Sequence, residues 1–275
     1  MSRAFPTLFH KFFADRGTHL AAMVAYFALL SFVPLVYLAL ALLGVAGRAD
    51  ESSFFVTELT RMFPNTSVNR VVDVVETLRE NAVALSVFGG VFLLWSSLSL
   101  FSVLESAFNI VYGQPNRPFL KGKAIASALL VGSLILLFVG LVIGSIGLEL
   151  LKRYAYWLAG SDVLAYTVSL AVSTLAVFLF LIATYYVLTN VAHTFREVLP
   201  GAVLGALVLQ VSFQVLPIYV RLSKDVVTLQ ALGAPVILLV WLYLMANVIV
   251  LGAEVNWWFS RGRAEARAEE VPGLA

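Results

Sequence analysis

LAAMVAYFALLSFVPLVYLALALLGVAG, residues 20–47, contains no Asp, Glu, Lys, Arg or His. A helix of about 20 such residues spans the roughly 30 Å hydrocarbon core of a bilayer, so this stretch is long enough to cross one. Five more uncharged stretches follow: Asn81–Leu104, Ala124–Leu148, Val163–Ala192, Val198–Val220 and Val226–Ala253. Every one exceeds the spanning length, which predicts an all-α polytopic membrane protein of six transmembrane helices with amphipathic interfacial helices. The first stretch is too long for the apolar core of a cleaved signal, usually about 7 to 15 residues, and is read as a retained signal anchor.

Composition agrees. The chain is 61% hydrophobic and 12% charged, about half the charged fraction of a soluble domain. Its 275 residues hold no cysteine, which excludes disulfides, thiolate metal sites and cysteine nucleophiles. A net charge of +2 is too small to imply a nucleic-acid partner. The predicted organisation is one membrane domain over 1–260, with spans near 20–47, 81–104, 124–148, 163–192, 198–220 and 226–256, and a cytoplasmic tail over 261–275.

With six spans the termini and the second and fourth loops share a face. That face carries ten Lys and Arg against eight on the other. Four of those eight lie in the first loop among acids, which count for little in the positive-inside rule, so both termini are expected to be cytoplasmic. Phe5, Leu8, Phe9, Phe12 and Phe13 recur at helical spacing with Lys11 on the opposite side, the pattern of a helix lying flat in the membrane interface. The first loop has two further apolar stripes, Phe55 to Phe63 and Val68 to Leu78, expected to pack over the bundle or to gate it. Arg261–Glu270 mixes both charges without a stripe and reads as a solvated helix extension.

Inside the spans, Gly140 with Gly144 and Gly201 with Gly205 have the GxxxG spacing that lets helix backbones approach. Pro34, Pro217 and Pro235 are expected to kink their helices, and Pro34 should free the carbonyl of Leu30.

The residues argue against several chemistries. His10, His19 and His193 lie in no metal-ligand spacing, and no HExxH is present. No histidine sits deep in a span to activate a serine. Gly122-Lys123 lacks the rest of a phosphate-binding loop. The chain therefore reads as no enzyme, with neither cofactor nor metal. What remains is a sparse set of polar groups at the membrane edge. Glu105, Asn109 and Tyr112 share a helical face after the second span. Glu254 and Asn256 close the last span, with Glu254 on the face of Asn247. Tyr26 and the basic residues Arg117, Lys121, Lys123 and Arg196 belong to the same side. Ionisable groups at such depths are costly and often mark a pathway; the competing reading is a structural anchor, in which a rim carboxylate pairs with Arg117 or Arg196.

At these residues the chain resembles the YihY/BrkB family of bacterial inner-membrane proteins. The matching stretches are Ala21-Ala22-Met23-Val24-Ala25-Tyr26-Phe27 with Ser31 and Pro34, Leu94-Trp95-Ser96, Ala107-Phe108-Asn109 with Tyr112, and Arg117-Pro118-Phe119. Pro200-Gly201-Ala202, Leu239-Val240-Trp241-Leu242-Tyr243-Leu244 and Leu251-Gly252-Ala253-Glu254-Val255-Asn256 complete a resemblance that covers nearly the whole chain. One departure is Leu232, where the family often has a tyrosine. The resemblance implies a six-span protein of the bacterial inner membrane, associated with envelope integrity and resistance to host killing, for which transport of a lipid or other amphiphile is suspected. An older family label, ribonuclease BN, has no support in the residues above.

Two functions follow as expectations. The first is a transporter or flippase-like protein for a lipid or other amphiphile, with Tyr26, Glu105, Asn109, Arg117, Glu254 and Asn256 along the substrate pathway and Lys121, Lys123 and Arg196 binding headgroups. The second is a non-transporting scaffold for envelope assembly. Membrane lipids are the expected partners, with a second copy of the chain or another envelope protein left open.

Overall fold

The computed structural model of the chain describes residues 8–45, 88–154, 162–192, 194–224 and 234–270. Among these residues it is all-helical: a short α1 (Leu8–Ala14) and six long helices, α2 (Gly17–Val45), α3 (Phe88–Val111), α4 (Phe119–Tyr154), α5 (Asp162–Leu188), α6 (Phe195–Lys224) and α7 (Ala234–Glu270). Helices dominate because a bilayer core offers no water to backbone N–H and C=O groups, which must bond within the segment. Five runs are long and apolar enough to cross a membrane: Leu94–Val111, Phe119–Gly140, Leu170–Leu188, Phe195–Val215 and Val236–Arg261. The described part of α2 adds a shorter apolar run, Gly17–Phe32.

Each long helix packs against its neighbours in sequence, and α7 returns to pack on α2, closing a ring. Helix α3 touches α2, α4, α5 and α7, and 56% of its spanning run is buried, against 39% or less for the other four. It is the central helix. Apolar side chains point outward from the others at helical spacing, such as Val131, Ile135 and Val139 on α4 and Leu204, Leu207, Val208 and Val211 on α6. Polar groups point inward, among them Ser31, Ser96, Ser97, Glu105, Asn109, Glu254 and Asn256. An apolar outer surface around an apolar core that also holds these polar groups suits lipid as the surrounding solvent.

The prolines act differently from one another. Pro34 lies inside α2, and the carbonyl of Leu30 accepts the Ser96 hydroxyl of α3 at 3.4 Å. The Ser31 hydroxyl in turn donates to the Ser96 carbonyl at 2.6 Å, so the proline's missing hydrogen bond becomes part of a two-bond staple between α2 and α3. Pro235 does not kink a span as expected, because it is the second residue of α7, where a missing N–H costs nothing.

Other boundaries also move. Helix α3 runs past the uncharged stretch, which closes at Leu104, and on to Val111, so that Glu105 and Asn109 sit on one helical face as their spacing predicts; Arg117 folds back to pair with the acid. α5 stops at Leu188 rather than Ala192, and α7 continues as helix through Glu270, as the extension reading expected. The two first-loop stripes, 55–63 and 68–78, lie outside the described residues.

The glycines of the two GxxxG pairs differ, the surroundings of Gly144 lying outside the described residues. A Cβ on Gly201 would strike the Gly252 carbonyl and the Asn256 side chain of α7, and one on Gly205 would meet Leu181 of α5 at 2.9 Å. That pair lets α6 sit close against both neighbours. A Cβ on Gly140 would have nothing within 4 Å, so its expected packing role in the bundle is not found there.

Candidate functional site

The polar residues singled out from sequence gather at one end of the ring, where α2, α4 and α6 begin and α3 and α5 end. Two buried networks hold that end together.

The first centres on Arg117, in the loop between α3 and α4. Its guanidinium pairs with Glu105 Oε1 at 3.3 Å, and donates through Nη1 to the Leu188 carbonyl at 2.5 Å and through Nη2 to the Thr189 carbonyl at 2.8 Å. The last carbonyls of a helix have no partner inside it, and the arginine fork supplies one to the end of α5. Asn109 extends the same network. Its Oδ1 accepts the Asn190 backbone N–H at 2.7 Å and its Nδ2 donates to Asn116 Oδ1 at 3.1 Å. Asn190 returns a bond to the Pro115 carbonyl at 3.1 Å. Gly122 sits directly under Glu105, where a Cβ would come within 3.1 Å of Oε2.

The second network centres on Lys11. Sequence periodicity placed this residue on the watery side of an interfacial helix; in the structure it is only 7% exposed, while Phe9 and Phe13 are exposed. The reason is a partner the stripe could not reveal. Lys11 Nζ pairs with Glu254 Oε2 of α7 at 2.9 Å, and also with Asp15. It donates to the Val111 carbonyl at 2.9 Å, closing the end of α3, and lies 4.1 Å from the centre of the Trp257 ring. Glu254 is fully buried, and its Oε1 has no hydrogen-bond partner. The sequence reading offered Arg117 or Arg196 as anchors for the carboxylates; Arg117 takes Glu105, and Lys11 takes Glu254.

Tyr112 lies just beyond α3. Burial pushes its hydroxyl well above the usual tyrosine range, and the Glu197 and Glu254 carboxylates add to that. It stays protonated at any physiological pH.

Helix α6 starts with a reciprocal cap: the Thr194 N–H donates to Glu197 Oε2 at 3.1 Å, and the Glu197 N–H to the Thr194 carbonyl at 2.9 Å. The Glu197 side chain thus makes the return half of a capping box, while its own N–H goes to the Thr194 carbonyl rather than to the hydroxyl. Asn256 accepts the Gly201 N–H at 2.6 Å, tying α7 to α6, while Tyr185 donates to the Ile249 carbonyl at 2.8 Å, tying α5 to α7.

Of the expected site residues, Glu105, Asn109 and Arg117 thus form one network, while Glu254 belongs to the other and Asn256 to a helix contact. Tyr26 joins none of these. It is 53% exposed and stacks edge-to-face on Phe27 at 5.4 Å, because the inward face of α2 is set by Ala21, Val24 and Ala25, and residue 26 lies about 200° around the helix from Val24. Among the basic residues, Lys121 and Arg196 are exposed, whereas Lys123 donates to the Ser102 hydroxyl at 3.0 Å. Among the described residues no group of three or more His, Asp or Glu could hold a metal. Sequence reasoning missed Lys11, Asp15, Asn116 and Asn190. A long uncharged helix ending in Glu254 demands a cation, and that demand was the available signal for Lys11.

Residues 8–273 match the family described as virulence factor BrkB. The chain belongs to the BrkB family. Among its relatives is the ribonuclease-like protein YfkH of Bacillus subtilis (strain 168), 24% identical over 255 residues, covering 90% of this chain and 92% of YfkH. UPF0761 membrane proteins also match. That of Azotobacter vinelandii is 29% identical over 259 residues, covering 90% of this chain and 61% of the relative. That of Nitrosospira multiformis is 25% identical over 268 residues, covering 94% and 62%. The chain therefore spans about three fifths of the length of these UPF0761 relatives. No solved structure matches. The BrkB stretches of this chain are the ones that build the polar end: Ala21, Ala25, Ser31, Ser96, Ala107, Phe108, Asn109, Ala202, Ala253, Glu254 and Asn256 are all buried there or along the helices beneath it.

Proposed function

We propose that this BrkB-family membrane protein moves an anionic lipid or similar amphiphile across the bacterial inner membrane, without enzymatic chemistry, and that its polar end faces the cytoplasm. One observation carries the reading. At that end exposed Lys121 follows exposed Phe119 and Leu120, and exposed Arg196 follows exposed Phe195, above the outward apolar faces of α4 and α6. Cations at headgroup level over an apolar wall match the chemistry of an anionic amphiphile. Each exposed Lys or Arg attracts an anionic surface by roughly 1 kcal/mol.

The test is translocation of fluorescent lipid in vesicles reconstituted with the full chain, comparing anionic and zwitterionic headgroups. Faster crossing of the anionic lipid than in protein-free vesicles is expected. The Lys121→Ala/Arg196→Ala double variant should slow it by about fivefold per residue removed. Crossing at the protein-free rate for every lipid would overturn the reading.

A second reading, a non-transporting scaffold for envelope assembly, is favoured by the Arg117 network, whose bonds all close within the protein. Equal rates with and without protein would select it.

A further inference from the structure

Lys11 and Asp15 travel together. Asp15 lies in the turn directly after α1, four residues from Lys11, and the two are ion-paired, so α1 carries its own counter-charge. Glu254 does not. Docked, the cluster holds two carboxylates and one ammonium, a net charge of −1; detached, α1 leaves as a balanced pair and Glu254 stays behind without its cation. The connection to α2 is a tight corner with Arg16 at φ 57°, a left-handed conformation that L-residues other than glycine, asparagine and aspartate seldom adopt. Helix α1 is therefore held across the bundle end by the shared ammonium and by the buried Phe12 ring, and joined to the bundle through a strained hinge. When swung out, Phe9 and Phe13, already exposed, would be joined by Phe12 in an apolar stripe suited to the membrane interface.

We propose that Glu254 is a proton-binding site and that α1 is a plug whose release from the bundle end takes up one proton there. In the docked state the ammonium of Lys11, shared with Asp15, is the counter-charge of the Glu254 carboxylate. On release that attraction is lost, a proton from water at that face forms an O–H bond on Glu254, and the carboxyl left in the bundle is uncharged. The other charged or titratable groups around Glu254 fit this account. Tyr112 stays protonated, and Glu197 acts on it from α6. Arg261 lies 5.2 Å from the Trp257 ring. Glu105 of α3 is committed to Arg117, α2 contains no Asp, Glu, Lys or Arg, and His10 of α1, Arg16 of the corner and His19 of α2 are exposed to the outside rather than buried with Glu254. A single-proton linkage makes release easier at low pH, by at most about tenfold per pH unit. The inference goes beyond the transport reading and holds for any cargo, because it concerns docking alone.

The absence of native cysteine makes the test direct. Val111→Cys reports on docking, since the Val111 carbonyl is held by Lys11 and its side chain is buried; Gln114→Cys, exposed, is the reference. Full-length protein in lipid nanodiscs is reacted with a hydrophilic maleimide, and the ratio of the two rates cancels the thiol's own pH dependence. The ratio should rise as pH falls from about 8 to about 5, within the tenfold-per-unit limit. With Glu254→Gln it should be raised at the upper pH and flat. With Asp15→Asn it should fall below wild type, because α1 could then leave only with an unneutralised lysine. General loosening of the fold would instead raise the ratio in both variants, so the opposite signs separate a latch from damage. A pH-independent wild-type ratio would overturn the proposal. So would a Glu254→Gln protein with the wild-type ratio, or an Asp15→Asn protein that opens.

Discussion

Arg117 shows how one side chain fixes the polar end. Three of its contacts go to one carboxylate of α3 and two consecutive backbone carbonyls at the end of α5, geometry that a planar fork satisfies and a point-charge ammonium does not. Removing one partner of a buried ion pair strands the other, at about 3 to 5 kcal/mol. Arg117→Ala is therefore expected to lose roughly that much stability, with Arg117→Lys recovering only part of it and Glu105→Gln milder than either. Denaturant unfolding in lipid or detergent measures this, and an Arg117→Lys protein as stable as wild type would refute the fork. Residue-scale legibility was uneven. Glu105 with Arg117 could be anticipated, because a carboxylate at the end of an apolar run needs a nearby cation and Arg117 is close in sequence. Lys11 with Glu254 could not, since 243 positions separate them and the phenylalanine stripe beside Lys11 argued for the opposite face.

Elements were more legible than contacts, because bilayer thickness sets a length that composition alone reveals. The apolar runs coincide with α2 to α7, and errors were confined to their ends, where capping and ion pairing decide. Small-residue spacing, by contrast, does not say which of these glycines touches a neighbour. Only backbone proximity distinguishes Gly201, pressed on Gly252 and Asn256, from Gly140, which has open space. Gly201→Ala should separate α6 from α7 and cost about 1 to 3 kcal/mol as an overpacking change. Gly140→Ala should be neutral or stabilising by up to about 1 kcal/mol, through helix propensity. Equal effects in the same unfolding measurement would contradict this packing. The staple around Pro34 belongs to this scale too: the sequence announced a freed carbonyl at Leu30, and only the folded bundle supplied Ser96 to meet it.

At the scale of the whole molecule, the closed ring brings the beginnings of α2, α4 and α6 together with the ends of α3 and α5 and the Glu254 region of α7. Contacts between Lys11 and Val111, between Arg117 and Thr189, and between Asn190 and Pro115 record that gathering. It agrees with an even number of crossings and with the shared side assigned to the termini and to the second and fourth loops. The direction in the membrane rests on the Lys and Arg bias alone, and the proposed function depends on it, since the headgroup-binding cations must meet the anionic inner leaflet. Single cysteines in the cysteine-free chain decide the matter. Gln114 and Ala192 lie at the polar end, and Asp162, at the start of α5, lies about 39 Å along the helix from Leu188 at 1.5 Å per residue. In intact cells treated with a membrane-impermeant thiol reagent, Asp162→Cys should be labelled, while Gln114→Cys and Ala192→Cys should react only after the membrane is opened; labelling of the latter two in intact cells, with Asp162→Cys protected, would contradict the account.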